Sequence, residues 1–135
     1  MEFVWLGWLL LIPLVYLIVT FFVLQQSSYG VTQAARSAGR AYILSPERAA
    51  AERRAFEAAR VALRDQGLEL RRGELKIVCK PTPDSCLRPN SSVEVWIGLR
   101  VPLPLAPTFG GSPVASVSVA ASHTEPFGTY REARQ

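Results

Sequence analysis

Few side chains in this chain could do covalent or metal chemistry, and their spacing narrows what they could do. Cys79 and Cys86 are the only cysteines, and they bracket the short loop KPTPDS. A pair so close suits a disulfide across the mouth of a strand connection, which places the domain in an oxidising space outside the cytoplasm. The alternative is two unpaired thiols in a cytosolic domain. A zinc site needs four ligands, and the chain adds only His123 to these two cysteines. His123 itself lies in AASHTEPFGTY, close to Ser122 and Glu125. Residues this close on a strand point to opposite faces or lie along one face, so they cannot form a Ser–His–acid relay. A structural hydrogen bond is the expected role for His123. There is no glycine-rich phosphate loop, no metal motif and no convergent pair of carboxylates. The reading is a non-enzyme with no cofactor, no metal and no small-molecule substrate.

The elements around these residues begin with residues 3–24, FVWLGWLLLIPLVYLIVTFFVL, which contain no charge. At about 1.5 Å per residue such a helix reaches roughly 33 Å, enough to cross a hydrocarbon core of about 30 Å. Pro13 near its middle is tolerable in a lipid-embedded helix. Trp5, Trp8 and Tyr29 lie near the two ends, where amphipathic rings favour the interface. A cleaved signal peptide would have a basic start, a shorter apolar run and a small-residue cleavage site. This chain starts Met1-Glu2 and follows the run with QQSSYG. We therefore divide the chain into a membrane anchor, residues 1–26, and one small domain, residues 27–135.

The net charge of +4 comes from arginines spread along the second part. No dense Lys/Arg block or aromatic–basic interleaving points to nucleic acid. The arginines read as solvated helix faces. Arg36 and Arg40, nearest the membrane, could also meet anionic headgroups.

After Leu24 the helical pattern continues to Ser45-Pro46. Ala34, Ala38 and Tyr42 share a face with Ala35 and Gly39 beside them, and small residues four apart let helix backbones approach closely. That face packs either on its own domain or on copies and partners outside it. Ser45-Pro46-Glu47 reads as a restart, with Ser45 as the cap and Pro46 in the first helical position. A second helix follows and stops at Gly67. Its apolar stripe is Ala55, Phe56, Ala59, Ala62 and Leu63, and Arg53 and Glu57 are spaced for an ion pair. If Phe56 is fully buried, Phe56→Ala should cost about 3–5 kcal/mol.

Past Gly67 the period becomes two. Leu75, Ile77 and Cys79 form one alternating run. Val93, Val95, Ile97, Leu99 and Val101 form another, and Val117, Val119 and Ala121 a third. The expected fold class is α+β: a transmembrane helix extended into a membrane-proximal helix, then a second helix packed on a small three-stranded antiparallel sheet. The sheet is expected to bury one face against the Ala55–Leu63 stripe.

Several segments in this order resemble the actinobacterial TadE-like proteins, pilin-like components of the tight-adherence (Tad/Flp) pilus system. They are EFVWLGWLLLIPLVYLIVTFF, YGVTQAARSAGRAY, the Cys79–Cys86 loop before a valine-rich strand, LRVPLPL, and SVAASHTEPFGTYRE. The resemblance implies a single-pass pseudopilin with an extracytoplasmic C-terminal domain, processed by a prepilin peptidase and serving pilus assembly or adhesion. Its partners would be the lipid bilayer, other Tad pilins and pilus assembly proteins. Family members carry a glutamate at the head of the apolar helix, and Glu2 holds that position. Ala34, Ala35, Ala38 and Gly39 join Glu2 as candidate helix-packing residues. Two other functions are compatible with the residues alone: a single-pass envelope binding or scaffold module outside any pilus, and a cytoplasm-facing scaffold.

Prepilins carry a basic leader before that glutamate. Arg36 and Arg40, on the C-terminal flank, would by the positive-inside rule hold the domain in the cytoplasm unless basic residues precede the helix. We expect such a leader upstream, with Met1 an internal residue of the longer chain. N-terminal sequencing of the native protein, with translation of the upstream DNA, checks this. An in-frame stop just upstream, or a native N-terminus at Met1, would reject it.

Overall fold

The computed structural model describes residues 1–84, 86–130 and 132. Its first element, α1 (Glu2–Ile43), is one uninterrupted helix of 42 residues that continues through Pro13. At about 1.5 Å per residue it is about 63 Å long, twice what a bilayer core requires. Its two halves have different surroundings. The N-terminal apolar window has none of its residues buried and is long and apolar enough to cross a membrane. From Ser27 onward, one face sinks into the protein. Ser27, Gly30, Val31, Ala34, Ala35, Ala38, Gly39 and Tyr42 are all buried.

At the junction, hydroxyl groups are satisfied within the helix. Ser27 donates to the Val23 carbonyl (2.7 Å), Ser28 to Leu24 (2.9 Å) and Thr32 to Ser28 (2.8 Å). Such back-bonds let a helix carry hydroxyls through an apolar setting without unpaired donors.

The second helix, α2 (Arg48–Arg64), turns back along α1. It buries Ala51, Ala55, Ala59 and Leu63, a row of residues each four apart. Gln66 and Leu68, just past its end, come so close to Gly30 that a Cβ there would lie 3.0 Å from the Gln66 side chain. Gly67 ends the helix as expected, with φ +72°. The Leu68 amide bonds back to Leu63 and the Gly67 amide to Arg64, satisfying the last carbonyls.

The sheet follows. β1 (Leu75–Lys80), β2 (Ser92–Pro102) and β5 (Ser116–Pro126) pair antiparallel in the order β1-β2-β5. Between β2 and β5, β3 (Thr108–Phe109) and β4 (Ser112–Pro113) form a separate two-stranded hairpin. The fold is α+β, with the long apolar helix, the second helix and the three-stranded sheet that the sequence predicts. Val93, Val95, Ile97, Leu99 and Val101 all point inward and are buried. Opposite them on β5 lie Glu125, His123, Ala121, Val119 and Val117 in register.

Four local expectations are corrected. The helix that makes the extensive contact with β2 and β5 is α1, and the Ala55–Leu63 stripe of α2 packs chiefly on α1. The cause is side-chain size. Gly39 brings the α1 backbone against β5, where a Cβ would lie 3.4 Å from the Glu125 Cβ. Phe56 is only half-buried, with the Arg72 guanidinium 5.8 Å from its ring centroid. Ser45 does not cap α2: its hydroxyl donates back to Ala41 (2.7 Å), and Glu47 takes the N-cap position. Glu57 pairs with Arg60 at 2.7 Å in place of Arg53, and Arg48 pairs with Glu52 at 3.4 Å.

These positions give a graded stability series. Leu63→Ala should cost about 2–5 kcal/mol, because the side chain is fully buried between packed elements. Phe56→Ala should cost clearly less than that, since part of the ring already meets water. Arg60→Ala should stay within about 0.5 kcal/mol, as expected for an exposed pair. Chemical denaturation of the full chain in detergent measures all three. A loss at Arg60 equal to that at Leu63 would show the face is misassigned.

Candidate functional site

Three features concentrate what this chain offers to other molecules: the bare apolar half of α1, the cystine loop at the far end of the domain, and the open flanks of the sheet.

Glu2 occupies the first turn of α1 and is exposed. A carboxylate there is favoured by the unpaired amides of the helix start. Residues 3–24 present only apolar or mildly polar side chains around the whole circumference, nearly all exposed. A helix that is apolar on every side has no aqueous face.

Ala34, Ala35, Ala38 and Gly39 are buried within the chain itself. Of the two uses open to these small residues, the structure shows the internal one. They are closed in by α2 and the sheet and are not available to a partner helix. Arg36 and Arg40 are exposed but lie 12 and 16 residues past Leu24 on a continuous helix. That is about 18 and 24 Å, beyond the roughly 8–10 Å over which salt lets charges act. A role at lipid headgroups is therefore withdrawn for both.

Cys79 and Cys86 are joined in a disulfide, with Cα atoms 5.0 Å apart. Cys79 ends the inward-facing run of β1, and both cysteines are buried. The described residues of the loop they close, 80–84, are exposed, whereas the segment that follows Cys86 is packed. Leu87 and Phe127 are buried, and the Phe127 amide donates to the Ser91 carbonyl at 2.8 Å. The buried Ser91 hydroxyl donates to the Arg88 carbonyl at 2.7 Å, with the Cys86 carbonyl 3.1 Å away. Arg48 at the start of α2 reaches Asp84 at 3.4 Å. The cystine thus ties the end of β1 to the segment that leads into β2. Nearby, Tyr42 is almost wholly enclosed, and burial pushes its phenol above the ordinary value, with Arg48 partly opposing.

His123 and Glu125 share the helix-facing side of β5, and His123 Nε2 lies 2.8 Å from a Glu125 carboxylate oxygen. Both sit over Gly39. Ser122, on the alternate position, faces the other side of the sheet. The structure therefore joins His123 to Glu125 and turns Ser122 away. Among the described residues no group of three His, Cys, Asp or Glu side chains could hold a metal ion.

On the flank of β1, an open groove of about 880 Å³ runs between Phe56 of α2 and Leu75 and Ile77 of β1, with Arg53 and Arg72 also lining it. On the outer face of the sheet, Trp96 lies across Gly98, where a Cβ would be 2.5 Å from the indole, and the Lys76 ammonium sits 5.5 Å from that ring. The sequence reading missed both, because neither leaves a mark in periodicity. The glycine two residues after Trp96 was the available signal for the second.

No protein-family model, curated protein or solved structure matches the chain.

The disulfide yields a direct test. In the chain-entropy account a ring this short contributes roughly 2.5 kcal/mol. A Cys79→Ser/Cys86→Ser double variant should lose stability of that order, and adding reductant to the parent chain should reproduce the loss. Parent and variant melting identically in reductant-free buffer would contradict it.

Proposed function

We propose that this chain is a membrane-anchored, pilin-like component of a tight-adherence pilus system, of the TadE-like kind. It acts by packing and assembly and not by catalysis. The observation that carries the reading is the double use of α1. One continuous helix offers a bare apolar half of transmembrane length, and its other half forms the spine of a folded domain. A component that must be held in the bilayer and later packed laterally among other such helices needs that arrangement. The disulfide supports an extracytoplasmic domain, because such bonds persist in oxidising compartments. The order of the segments that resemble TadE-like proteins supports the reading.

In this reading Glu2 is the specificity-bearing residue of the anchor. Glu2 lies about 33 Å along the helix from Leu24, so the carboxylate reaches the far interface without entering hydrocarbon. During lateral packing it pairs with the N-terminal amine of a neighbouring subunit, which removes the cost of a lone charge beside lipid.

The test is co-purification from native membranes. A photo-crosslinking residue at Trp5 should capture other Tad pilins or assembly proteins. Glu2→Gln should reduce that capture several-fold while membrane retention is unchanged. Capture of no Tad component would leave a single-pass envelope module outside any pilus.

A further inference from the structure

The connection between β2 and β5 has a composition unlike the rest of the domain. Residues 101–122 contain no Asp, Glu, Lys or Arg, in a chain where charged residues are 19%. The hairpin at its centre is ordered: the Leu103 amide bonds to the Ala115 carbonyl at 3.1 Å and the Val114 amide to Pro107 at 3.0 Å. Gly110 and Gly111, both with positive φ, make the tight turn between β3 and β4. Yet this ordered hairpin holds its large apolar side chains outward. Leu105 and Phe109 are each 87% exposed and Val114 65%. Leu105 does so at φ +61°, a conformation that non-glycine residues seldom adopt.

Where the hairpin sits follows from lengths. Gly39 of α1 lies against Val95 and His123. Only four residues of α1 remain beyond Gly39, about 6 Å. Six further residues of β2 extend from Val95 to Val101, about 20 Å, and Ile97, Leu99 and Val101 remain buried along it. A stretch that long can stay covered by α1 only if β2 runs back toward the apolar end. Twenty ångströms down the helix is about thirteen residues, which brings Val101 near the level of Gln26. Leu103, at the hairpin base, is then level with the last apolar turn of α1. Val23 in that turn packs against the core, consistent with this depth.

We propose that the 103–115 hairpin is a second membrane contact, with Leu105, Phe109 and Val114 inserted into the bilayer interface beside α1. This rests on the reading of residues 3–24 as membrane-spanning. An uncharged apolar loop at interface depth is solvated better by the headgroup–acyl boundary than by water. Its consequence is orientation. A single helix leaves a domain free to swing, whereas two contacts fix which flank faces away from the bilayer.

The experiment uses the full chain in phosphatidylcholine–phosphatidylglycerol vesicles, with a nitroxide label on one introduced cysteine at a time. The native pair is already bonded, so it does not compete. The positions are Phe109→Cys, Val114→Cys, Arg88→Cys in the far loop, and Leu14→Cys within the apolar helix. Labels at 109 and 114 should be several-fold less accessible than that at 88 to an aqueous nickel complex, and more accessible to oxygen. Two hairpin positions guard against one label disturbing the turn. Labels at 109 and 114 as nickel-accessible as that at 88, with 14 shielded, would overturn the insertion and leave the anchor intact. Shielding from both reagents would indicate a protein contact and also overturn it. Nickel access at 14 would remove the membrane reading and this inference together.

Discussion

Everything in this molecule depends on how closely α1 can be approached on one face. Alanine and glycine at 34, 35, 38 and 39 remove side-chain bulk from that face, so α2 and the sheet close on it from two sides. A helix gripped this way over its C-terminal half cannot rotate or slide relative to the domain. Its N-terminal half, of which Val23 in the last apolar turn packs against the core, is then a rigid extension of that core. The close packing thereby gives a helix long and apolar enough to cross a membrane a defined direction relative to the domain.

That rigidity explains the arrangement of the remaining parts. Interior density comes from the β2 valines and isoleucine meeting small helix residues, so little of the core relies on aromatic rings. Tyr42 and Phe127 are the large enclosed ones, and they lie at the end far from the apolar helix. The disulfide and the Ser91 hydrogen bonds reinforce the same end, within the proline-rich loop that joins β1 to β2. For a domain of this size such a staple offsets a limited core.

Much of this was legible in the residues. The charge-free run, the switch to period two, the stop at Gly67 and the nearness of the two cysteines each record a local physical requirement, and each appears in the structure. What was not legible depends on competition between distant groups. Ser45 and Pro46 have the chemistry of a cap, yet the hydroxyl donates to the Ala41 carbonyl and Glu47 takes the N-cap position. The stripe on α2 announces a buried face without naming its partner, and Gly39 gives the sheet to α1. Arg36 and Arg40 look juxtamembrane in sequence, but an unbroken helix carries them away at about 1.5 Å per residue. The β3–β4 hairpin has no period to detect, only its glycines.

The central claim is that the domain stands outside the cytoplasm on a helix that crosses the membrane. Thiol labelling of Cys79 and Cys86 on intact cells with a membrane-impermeant maleimide tests it most directly. The account predicts no labelling until a membrane-impermeant reductant is added, and labelling of both cysteines afterwards. Thiols that are free in a lysate without reductant, and shielded from the reagent in intact cells, would contradict it and place the domain in the cytoplasm.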